Sequence, residues 1–361
     1  MKTERLEYLD SLRGWAILLV LICHAGGLVN GAINQVTGEG NKGVELFYVL
    51  SAFMLFWTHY NKHRHEHRET LNFFVRRFFR IAPLFYPVVI VCATVAYFHR
   101  DGSGPTIGHL AATLLFVNGW NPAWINSIVR VEWSVAVEMT FYLIMPWLLH
   151  YVTNGERAVI VCMLGLLLGD GLSNLLDTHV NLTQYGYGWY TAFWFPAHLP
   201  VFLLGICTFF FSRSNFTERQ GLVFTTLGVF VLVSAYFGDQ VWVIRHHIVF
   251  AIGFCLIILG LGARPVRFFV NRPMTWLGKI SFSVYLLHLP IVGGVYRFVV
   301  NHLGLDGWWN FSITLTAAIA LVVPAAALSY FLIERPGIKL GSRVVRMIES
   351  RRSRIGATLD A

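Results

Sequence analysis

Charged residues are scarce in this sequence of 361 residues. Asp, Glu, Lys and Arg together make up 13% of it, whereas 56% of the residues are hydrophobic and the mean hydropathy is +0.58. Such a composition excludes a soluble globular domain and a disordered chain. Apolar runs long enough to cross a bilayer recur from one end to the other, so the sequence predicts an all-α, polytopic membrane protein.

Cysteine is scarce as well. The five cysteines lie within apolar runs and include no CxxC spacing: Cys23, Cys92, Cys162, Cys207 and Cys255. The odd count and the absence of ligand spacing argue against a disulfide framework and against a zinc site. Cys23 is next to His24 in sequence but about 100° away around a helix, which disfavours a Cys-His nucleophilic pair.

Ten apolar stretches are predicted to be transmembrane helices. They cover residues 13–30, 43–60, 82–98, 133–152, 157–175, 192–211, 221–237, 247–263, 281–299 and 310–333. A weaker apolar piece, residues 108–119, is interpreted as a re-entrant segment. These assignments predict one transmembrane domain over residues 1–340 and a basic cytoplasmic tail over residues 341–361, which is either interfacial or disordered.

The distribution of Lys and Arg predicts the orientation. With the N-terminus inside, 23 of the 28 Lys and Arg residues fall on the cytoplasmic side. This bias places both termini in the cytoplasm. The net charge of +9 is then explained by loop residues near the lipid surface, so no nucleic-acid partner is expected. We expect an integral protein of a bacterial inner membrane.

The first predicted span carries two ionisable residues, Arg13 and His24, separated by ten uncharged and mostly apolar residues. Eleven helical steps return to within about 20° of the same azimuth and rise about 16 Å. Both side chains therefore face the same way at different depths, as in a ligand or proton site. The alternative is that Arg13 is an ordinary cytoplasmic flank and His24 is a buried structural histidine.

Three arginines, Arg76, Arg77 and Arg80, precede the third span. Their spacing places at least two guanidinium groups on one helical face at the cytoplasmic surface, where a planar fork suits phosphate. The alternative is a set of positive anchors at the inner surface. The preceding histidines, His63, His65 and His67, resemble a metal tract, but flexible basic loops accumulate histidine and no carboxylate cage accompanies these three, so no metal site is expected.

Two further spans present polar residues on one face. Trp133 begins the fourth span, and Ser134, Glu138 and Tyr142 recur at helical spacing behind it. A carboxylate at that depth must be paired or protonated, which favours a functional role for Glu138 over a structural one. The ninth span repeats the pattern with the polar side chains Ser281, Tyr285 and His288.

Two other features, both predicted to lie on the outer side, each have a functional and a structural interpretation. Glu45 lies in the first turn of the second span, where a carboxylate also suits the helix dipole. The stretch YGYGWYTAFWFPAHLPVFLLG is typical of an interfacial aromatic belt, and stacking on a sugar ring is the second interpretation.

Six sequence blocks together resemble the acyltransferase-3 family of integral membrane O-acyltransferases. They are LDSLRGWAILLVLICH, GVELFYVLSAF, FFVRRFFRIAP, EWSVAVEMTFYLIMP, LGKISFSVYLLH and FLIERP, in the family's order over nearly the whole chain. The resemblance implies a ten-helix enzyme that moves an acyl group, usually acetyl from cytoplasmic acetyl-CoA, to a hydroxyl of a carbohydrate. It implies no metal.

The resemblance also implies roles for individual residues. Arg13 and His24 match the family's essential pair, and Glu138 matches the glutamate of its WSxxxE block. The three arginines at 76, 77 and 80 match its RRxxR motif. The resulting hypothesis has the arginines hold the coenzyme, with Arg13 also able to stabilise developing negative charge. His24 acts as general base, oriented by Glu138 or Glu45. Trp133, Tyr142, Ser281, Tyr285 and His288 would contact substrate.

Several positions depart from the family pattern. Glu45 stands where aspartate is usual, Ala52 where glycine is common, and Met139 where a second acid is frequent. His198 and Val201 stand where arginine and glutamate are common. These differences leave open which carbohydrate is the acceptor and which acyl group is moved.

Two other function classes are compatible with ten spans. A transporter or flippase could use His24, Glu138 and His288 as a proton relay. A non-catalytic scaffold for glycan assembly would leave the facing polar residues without a role. Direct transfer and an acyl-enzyme, for which Ser134, Tyr142 and Tyr285 are available, remain open alternatives, as does the oligomeric state.

Overall fold

The computed structural model describes residues 7–29, 31–63, 66, 69–99, 104–180, 190–238 and 245–359. These residues form α-helices joined by turns, and no strand occurs among them. In chain order the α-helices are α1 Glu7–Leu28, α2 Ala32–Thr37, α3 Gly43–Thr58, α4 Glu69–His99, α5 Ile107–Leu114, α6 Glu132–Tyr151, α7 Gly155–His179, α8 Phe195–Phe211, α9 Glu218–Phe237, α10 His246–Ala263, α11 Arg272–Lys279, α12 Ser281–Phe298, α13 Gly307–Ser329 and α14 Arg335–Leu359.

Within the described residues, eight helices are long and apolar enough to cross a membrane. They are Glu7–Leu28, Glu69–Phe98, Gly155–His179, Tyr190–Phe211, Glu218–Phe237, His246–Ala263, Ser281–Leu303 and Gly307–Ser350. The prediction of an all-α polytopic membrane protein is confirmed. The two other predicted spans fall on α3, which has only 16 residues, and on α6, which carries two carboxylates. The count of ten and the orientation stay predictions.

The first span starts earlier than its apolar residues suggest. Helix α1 begins at Glu7 rather than near residue 13, so Arg13 lies about 9 Å inside the helix instead of at its edge. His24 is only one turn from the other end, Leu28, and therefore lies nearer that end than the middle. The predicted start at residue 13 left out the charged first turns of the helix.

Helix α3 lies very close to α1. A Cβ atom on Gly43 would sit 2.3 Å from the carbonyl oxygen of Ala16, and one on Gly40 would sit 2.3 Å from that of Leu19. Only glycine permits this approach of two backbones. The contact fixes the start of α3, and with it Glu45, against the wall of α1.

The segment between α4 and α6 runs back along α4. Helix α5 has eight residues, too few to cross a bilayer. The ring of Phe116, just after it, lies 5.0 Å from that of Phe85 and 5.8 Å from that of Tyr86. Both partners are near the middle of α4, and from there the chain returns through a loop to α6; that this segment is re-entrant in the membrane stays a prediction.

The basic tail is helical and packed. Helix α14 runs without a break through the predicted boundary between residues 340 and 341. A Cβ atom on Gly337 would sit 2.7 Å from the ring of Pro83, and one on Gly341 would sit 2.7 Å from Phe79. Helices α14 and α4 are therefore in close contact at the end of α4 that carries the three arginines.

Candidate active site

One cavity in the helix bundle collects most of the predicted polar residues. Its polar wall consists of Arg13, Tyr48, Ser51, Thr58, Arg77, Arg80, Ser134, Glu138, Tyr142, Ser281 and Tyr285. The remaining wall is apolar: Val44, Phe47, Leu50, Met54, Leu55, Ile81, Val135 and Phe282. The wall residues on α3 run from Val44 to Thr58, about 21 Å along the helix, or about two thirds of the hydrocarbon thickness of a bilayer.

The two ends of the cavity differ in chemistry. Helices α3 and α6 run side by side in the same direction, because the Tyr48 hydroxyl donates to the Ser134 carbonyl and the Ser51 hydroxyl to Glu138. Further along α6, the guanidinium of Arg77 lies 5.8 Å from the ring of Tyr142. The arginines of α4 therefore lie towards the Thr58 end, and the Ser134 hydroxyl lies towards the other.

Three guanidinium groups line this cavity: those of Arg13, Arg77 and Arg80. Glu138 is the one carboxylate among the lining residues, so positive charge is in excess. The Nε atom of Arg77 is buried and has no hydrogen-bond partner in the described chain. The Ser281 hydroxyl, also in this wall, is likewise unpartnered within the described residues. The cavity thus offers donors suited to an anionic ligand.

Arg76 is separated from these arginines. Its two terminal nitrogens form a fork to the carboxylate of Glu66, at 2.8 and 3.1 Å. Asn72 bridges the same carboxylate, at 3.0 Å, to Glu349 of α14, at 2.7 Å. Arg76 thus holds the loop before α4 and is absent from the cavity wall, although the sequence grouped it with Arg77 and Arg80.

Glu138 is held by two hydroxyl groups. Its Oε1 atom accepts from Ser51 at 2.6 Å and from Tyr142 at 2.5 Å. Ser51 was missed in the sequence, because a single serine in an apolar helix gives no signal of its own. The carboxylate lies between the arginine end and the hydroxyl end of the cavity.

Two hydroxyl groups share one acceptor at the far end. The Ser134 and Tyr285 hydroxyls are 2.6 Å apart, and each lies within hydrogen-bond distance of the Val131 carbonyl, at 3.0 and 3.3 Å. The ring of Phe47 lies 6.4 Å from that of Tyr285. The structure therefore brings Tyr48, Ser134 and Tyr285 together on three different helices.

His24 pairs with a second histidine. Its Nδ1 atom is 3.2 Å from Nε2 of His288, and 2.9 Å from the Val20 carbonyl. His288 is fully buried, and its Nδ1 is 2.6 Å from the Tyr285 carbonyl. A carbonyl can only accept, so Nδ1 of each ring carries a proton. With both rings neutral, His288 Nε2 accepts from His24 Nδ1–H, and His24 Nε2 keeps a lone pair.

This tautomer is what a general base requires. Both hydrogen bonds described for His24 use Nδ1, so its Nε2 is left to take a proton. Glu138 and Glu45, the orienting groups suggested by the sequence, make no described hydrogen bond to His24. The side chain that orients the ring is His288, and the role predicted for either carboxylate stays a prediction.

His24 itself does not line the cavity. The connection runs from His24 to His288, and from there to Tyr285, which does line it. The sequence predicted that Arg13 and His24 lie on one face of α1, about 16 Å apart along the helix. Of the two, only Arg13 lines the cavity. The Tyr285–His288 turn of α12 separates the Ser134 end of the cavity from His24 Nε2, for which no hydrogen bond is described.

The remaining predicted residues lie towards the Ser134 end of the cavity. Glu45 is 5% exposed, and its Oε2 has no partner in the described chain. Trp133 is outside the cavity wall, and its ring packs at 4.8 Å from Phe193 and 5.4 Å from His198. Nδ1 of His198 is buried and unpartnered among the described groups. These side chains form an aromatic and imidazole layer behind Tyr48.

Two sequence features fall outside the described residues. They are most of the histidine tract, including His65 and His67, and residues 181–189 of the aromatic stretch. Among the residues that are described, no group of three His, Cys, Asp or Glu side chains is arranged to hold a metal ion.

The comparison with protein families identifies the chain. An acyltransferase-domain family model matches residues 6–332. The chain belongs to the acyltransferase-3 family. The resemblance drawn from six sequence blocks is confirmed, and with it the expectation of an acyltransferase enzyme in a membrane.

Relatives of this acyltransferase differ in length. Acyltransferase MdmB of Streptomyces mycarofaciens is 25% identical over 95% of the chain and 94% of its own length. The peptidoglycan O-acetyltransferase OatA of Listeria monocytogenes is 24% identical over 79% of the chain, and O-acetyltransferase OatA of Staphylococcus aureus 23% over 97%. The matches span 49% and 60% of those two proteins. No solved structure matches the chain.

Proposed function

We propose that this membrane acyltransferase moves an acetyl group from cytoplasmic acetyl-CoA to a hydroxyl of a cell-envelope or exported carbohydrate, with His24 as general base. One observation carries the proposal. The wall of one cavity extends about 21 Å along α3, with guanidinium groups at one end and hydroxyl groups at the other, where the backbone carbonyl of Tyr285 contacts a histidine pair; His24 Nε2 has no described partner.

The cavity wall suits the phosphates of the donor. Arg13, Arg77 and Arg80 present planar forks that match phosphate oxygens. The unpartnered Arg77 Nε and Ser281 hydroxyl would both gain an acceptor from a bound ligand. The excess of cytoplasmic Lys and Arg supports entry from the cytoplasm for a donor bound at the Thr58 end.

The histidine pair supplies the proton chemistry. His24 Nε2 takes the proton of the acceptor hydroxyl, whose oxygen forms a bond to the acyl carbon. The carbon–sulfur bond breaks, and the proton passes from His24 to the departing sulfur. Imidazole suits both steps because its unperturbed pKa lies near the working pH. His288 keeps Nδ1–H of His24 occupied, so Nε2 is the reacting nitrogen.

The class of acceptor is proposed from the position of the histidine pair and from the name of a relative. The histidine pair lies at the end of α1 predicted to be outermost, which suits an acceptor that arrives from the envelope side. The Listeria relative is named a peptidoglycan O-acetyltransferase, which supports a carbohydrate as the acceptor class here. Mass spectrometry of surface glycans from cells with and without the protein would identify the acceptor.

Purified protein in liposomes tests the reaction. With radiolabelled acetyl-CoA and an extract of envelope glycans, we expect release of free CoA and transfer of label to carbohydrate. A transporter would instead move the glycan across the liposome membrane without consuming acetyl-CoA. Glycan movement with no CoA release would overturn the proposed reaction.

Replacing His288 by leucine is expected to lower turnover about 10- to 100-fold, the range typical of lost supporting contacts. The leucine side chain has no acceptor for His24 Nδ1–H, so the His24 ring loses its orientation. The KM for acetyl-CoA should stay near the wild-type value, since the arginines are untouched. Steady-state kinetics in liposomes measures both quantities.

His302→Leu is the matched control. His302 is exposed, and its one hydrogen bond among the described residues is to the Phe298 carbonyl, one turn earlier on the same chain segment. The His302 variant should have the kcat and KM of the wild-type protein. Equal turnover in the His288 variant and the control would remove His288 from the mechanism.

A further inference from the structure

Glu132 is a carboxylate for which neither the sequence nor the proposed reaction has a role. It is fully buried at the start of α6, and no ion pair is described for it. Its Oε1 accepts backbone N–H bonds from Ser127 at 2.6 Å and Ile128 at 2.7 Å, and its Oε2 accepts from Val129 at 3.0 Å. Three such bonds satisfy the oxygens of a buried carboxylate, which would be costly to leave unpaired.

These bonds fold the loop between α5 and α6 back onto α6. The loop includes two non-glycine residues in the left-handed region, Asn126 with φ 56° and Arg130 with φ 70°. Such conformations are unfavourable for residues with a Cβ and persist only where surrounding contacts impose them. The Glu132 carboxylate provides three of those contacts between the two positions.

The loop ends at a carbonyl that serves the cavity. Val131 follows Arg130 directly, and its oxygen is the shared acceptor of the Ser134 and Tyr285 hydroxyls. The backbone of Tyr285 in turn accepts from His288, the partner of His24. A displacement of the loop would therefore move Tyr285, and through it the histidine pair.

We propose that Glu132 is a positioning residue for acyl transfer: its carboxylate fixes the 127–131 loop so that the Val131 carbonyl holds Tyr285 beside the histidine pair. This inference rests on the proposed function for its effect on turnover. The clamping of the loop stands on the hydrogen bonds alone and is measurable without any reaction.

Glu132→Gln tests the kinetic consequence. Glutamine has nearly the same shape, but its NH2 group faces a backbone N–H and loses at least one of the three bonds. We expect kcat to fall about 10-fold with the KM for acetyl-CoA unchanged, as for a supporting residue that touches no ligand. An unchanged kcat, or a rise in KM as large as the fall in kcat, would overturn the proposal.

A double-mutant cycle separates positioning from general support of the fold. If Glu132 acts through Tyr285, adding Glu132→Gln to Tyr285→Phe should lower kcat no further than Tyr285→Phe alone. Independent, multiplying effects would contradict this route. Asp170→Asn is the control carboxylate variant, because Asp170 pairs with Arg245 at 2.8 Å on a different helix pair. It should leave kcat near the wild-type value in both backgrounds.

Amide hydrogen exchange provides the readout that does not depend on activity. In Glu132→Gln, exchange of the Ser127, Ile128 and Val129 amides should accelerate at least 10-fold, while α3 stays protected. If wild-type protein fails to transfer acetyl groups but this acceleration appears, the proposed function is wrong and the clamp is right. If exchange of the three amides does not change, the clamp itself is refuted.

Discussion

His24→Ala is expected to reduce acetyl transfer about 10²- to 10⁴-fold, the contribution typical of a general base. The variant removes the Nε2 lone pair that the hydrogen bonds of Nδ1 leave free. The KM for acetyl-CoA should change little, because His24 is not part of the cavity wall that carries the arginines. The measurement is CoA release in liposomes at saturating donor and acceptor.

His24→Asn distinguishes chemistry from packing. The asparagine NH2 can stand near the position of Nδ1–H and donate to Val20 and His288, but no basic nitrogen replaces Nε2. We therefore expect His24→Asn to be as inactive as His24→Ala while melting closer to the wild-type temperature. Substantial turnover in His24→Asn would mean that the ring is needed for its contacts and that the base is another group.

The sequence predicted which residues lie in this site better than it predicted the contacts between them. The ten-residue spacing between Arg13 and His24 and the helical repeats in the fourth and ninth spans are local patterns. They predicted six residues that line the cavity: Arg13, Ser134, Glu138, Tyr142, Ser281 and Tyr285. His288, the partner of His24, is 264 residues further along the chain, and a local pattern cannot predict a contact over that separation.

The arginine motif illustrates the same limit. Around the helix Arg80 is about 60° from Arg77 and about 40° from Arg76, so it shares a face with either one. A helical wheel therefore does not say which of Arg76 and Arg77 points inward. The answer depends on Glu66 in the preceding loop and on the packing of α14, both of which are tertiary.

Glu132 was overlooked for a related reason. A carboxylate in the first turn of a helix is ordinarily explained by the helix dipole, as was argued for Glu45. Its actual partners are three amides of the loop between α5 and α6. The sequence indicated only a weak apolar piece there, which is too little to predict the path of that segment.

Arg77→Ala and Arg80→Ala are each expected to raise the KM for acetyl-CoA about 10- to 100-fold, since a hydrogen bond to a charged group contributes about 1.5–3 kcal/mol. Turnover at saturating donor should fall much less. Lysine at either position should be intermediate, because an ammonium lacks the planar fork. Initial rates over a range of acetyl-CoA concentrations give both parameters.

Arg76→Ala is the internal control for that prediction. Its guanidinium is already paired with Glu66, outside the cavity, so its removal should leave the KM near the wild-type value. It should instead lower the melting temperature, because the paired carboxylate of Glu66 loses its partner. A rise in KM equal to that of Arg77→Ala would show that Arg76 leaves Glu66 when the donor binds.

Thermal stabilisation by bound CoA distinguishes the arginines of the cavity wall from Arg76 without a catalytic assay. A ligand that binds only the folded state raises stability by RT ln(1 + [L]/Kd), about 2.7 kcal/mol at 100 times Kd. CoA should therefore raise the melting temperature of the wild-type protein and of Arg76→Ala by similar amounts. For Arg77→Ala the shift should largely disappear at the same concentration. Because Arg13, Arg77 and Arg80 share the wall with one carboxylate and otherwise uncharged side chains, a polyanion is the ligand that this charge excess favours.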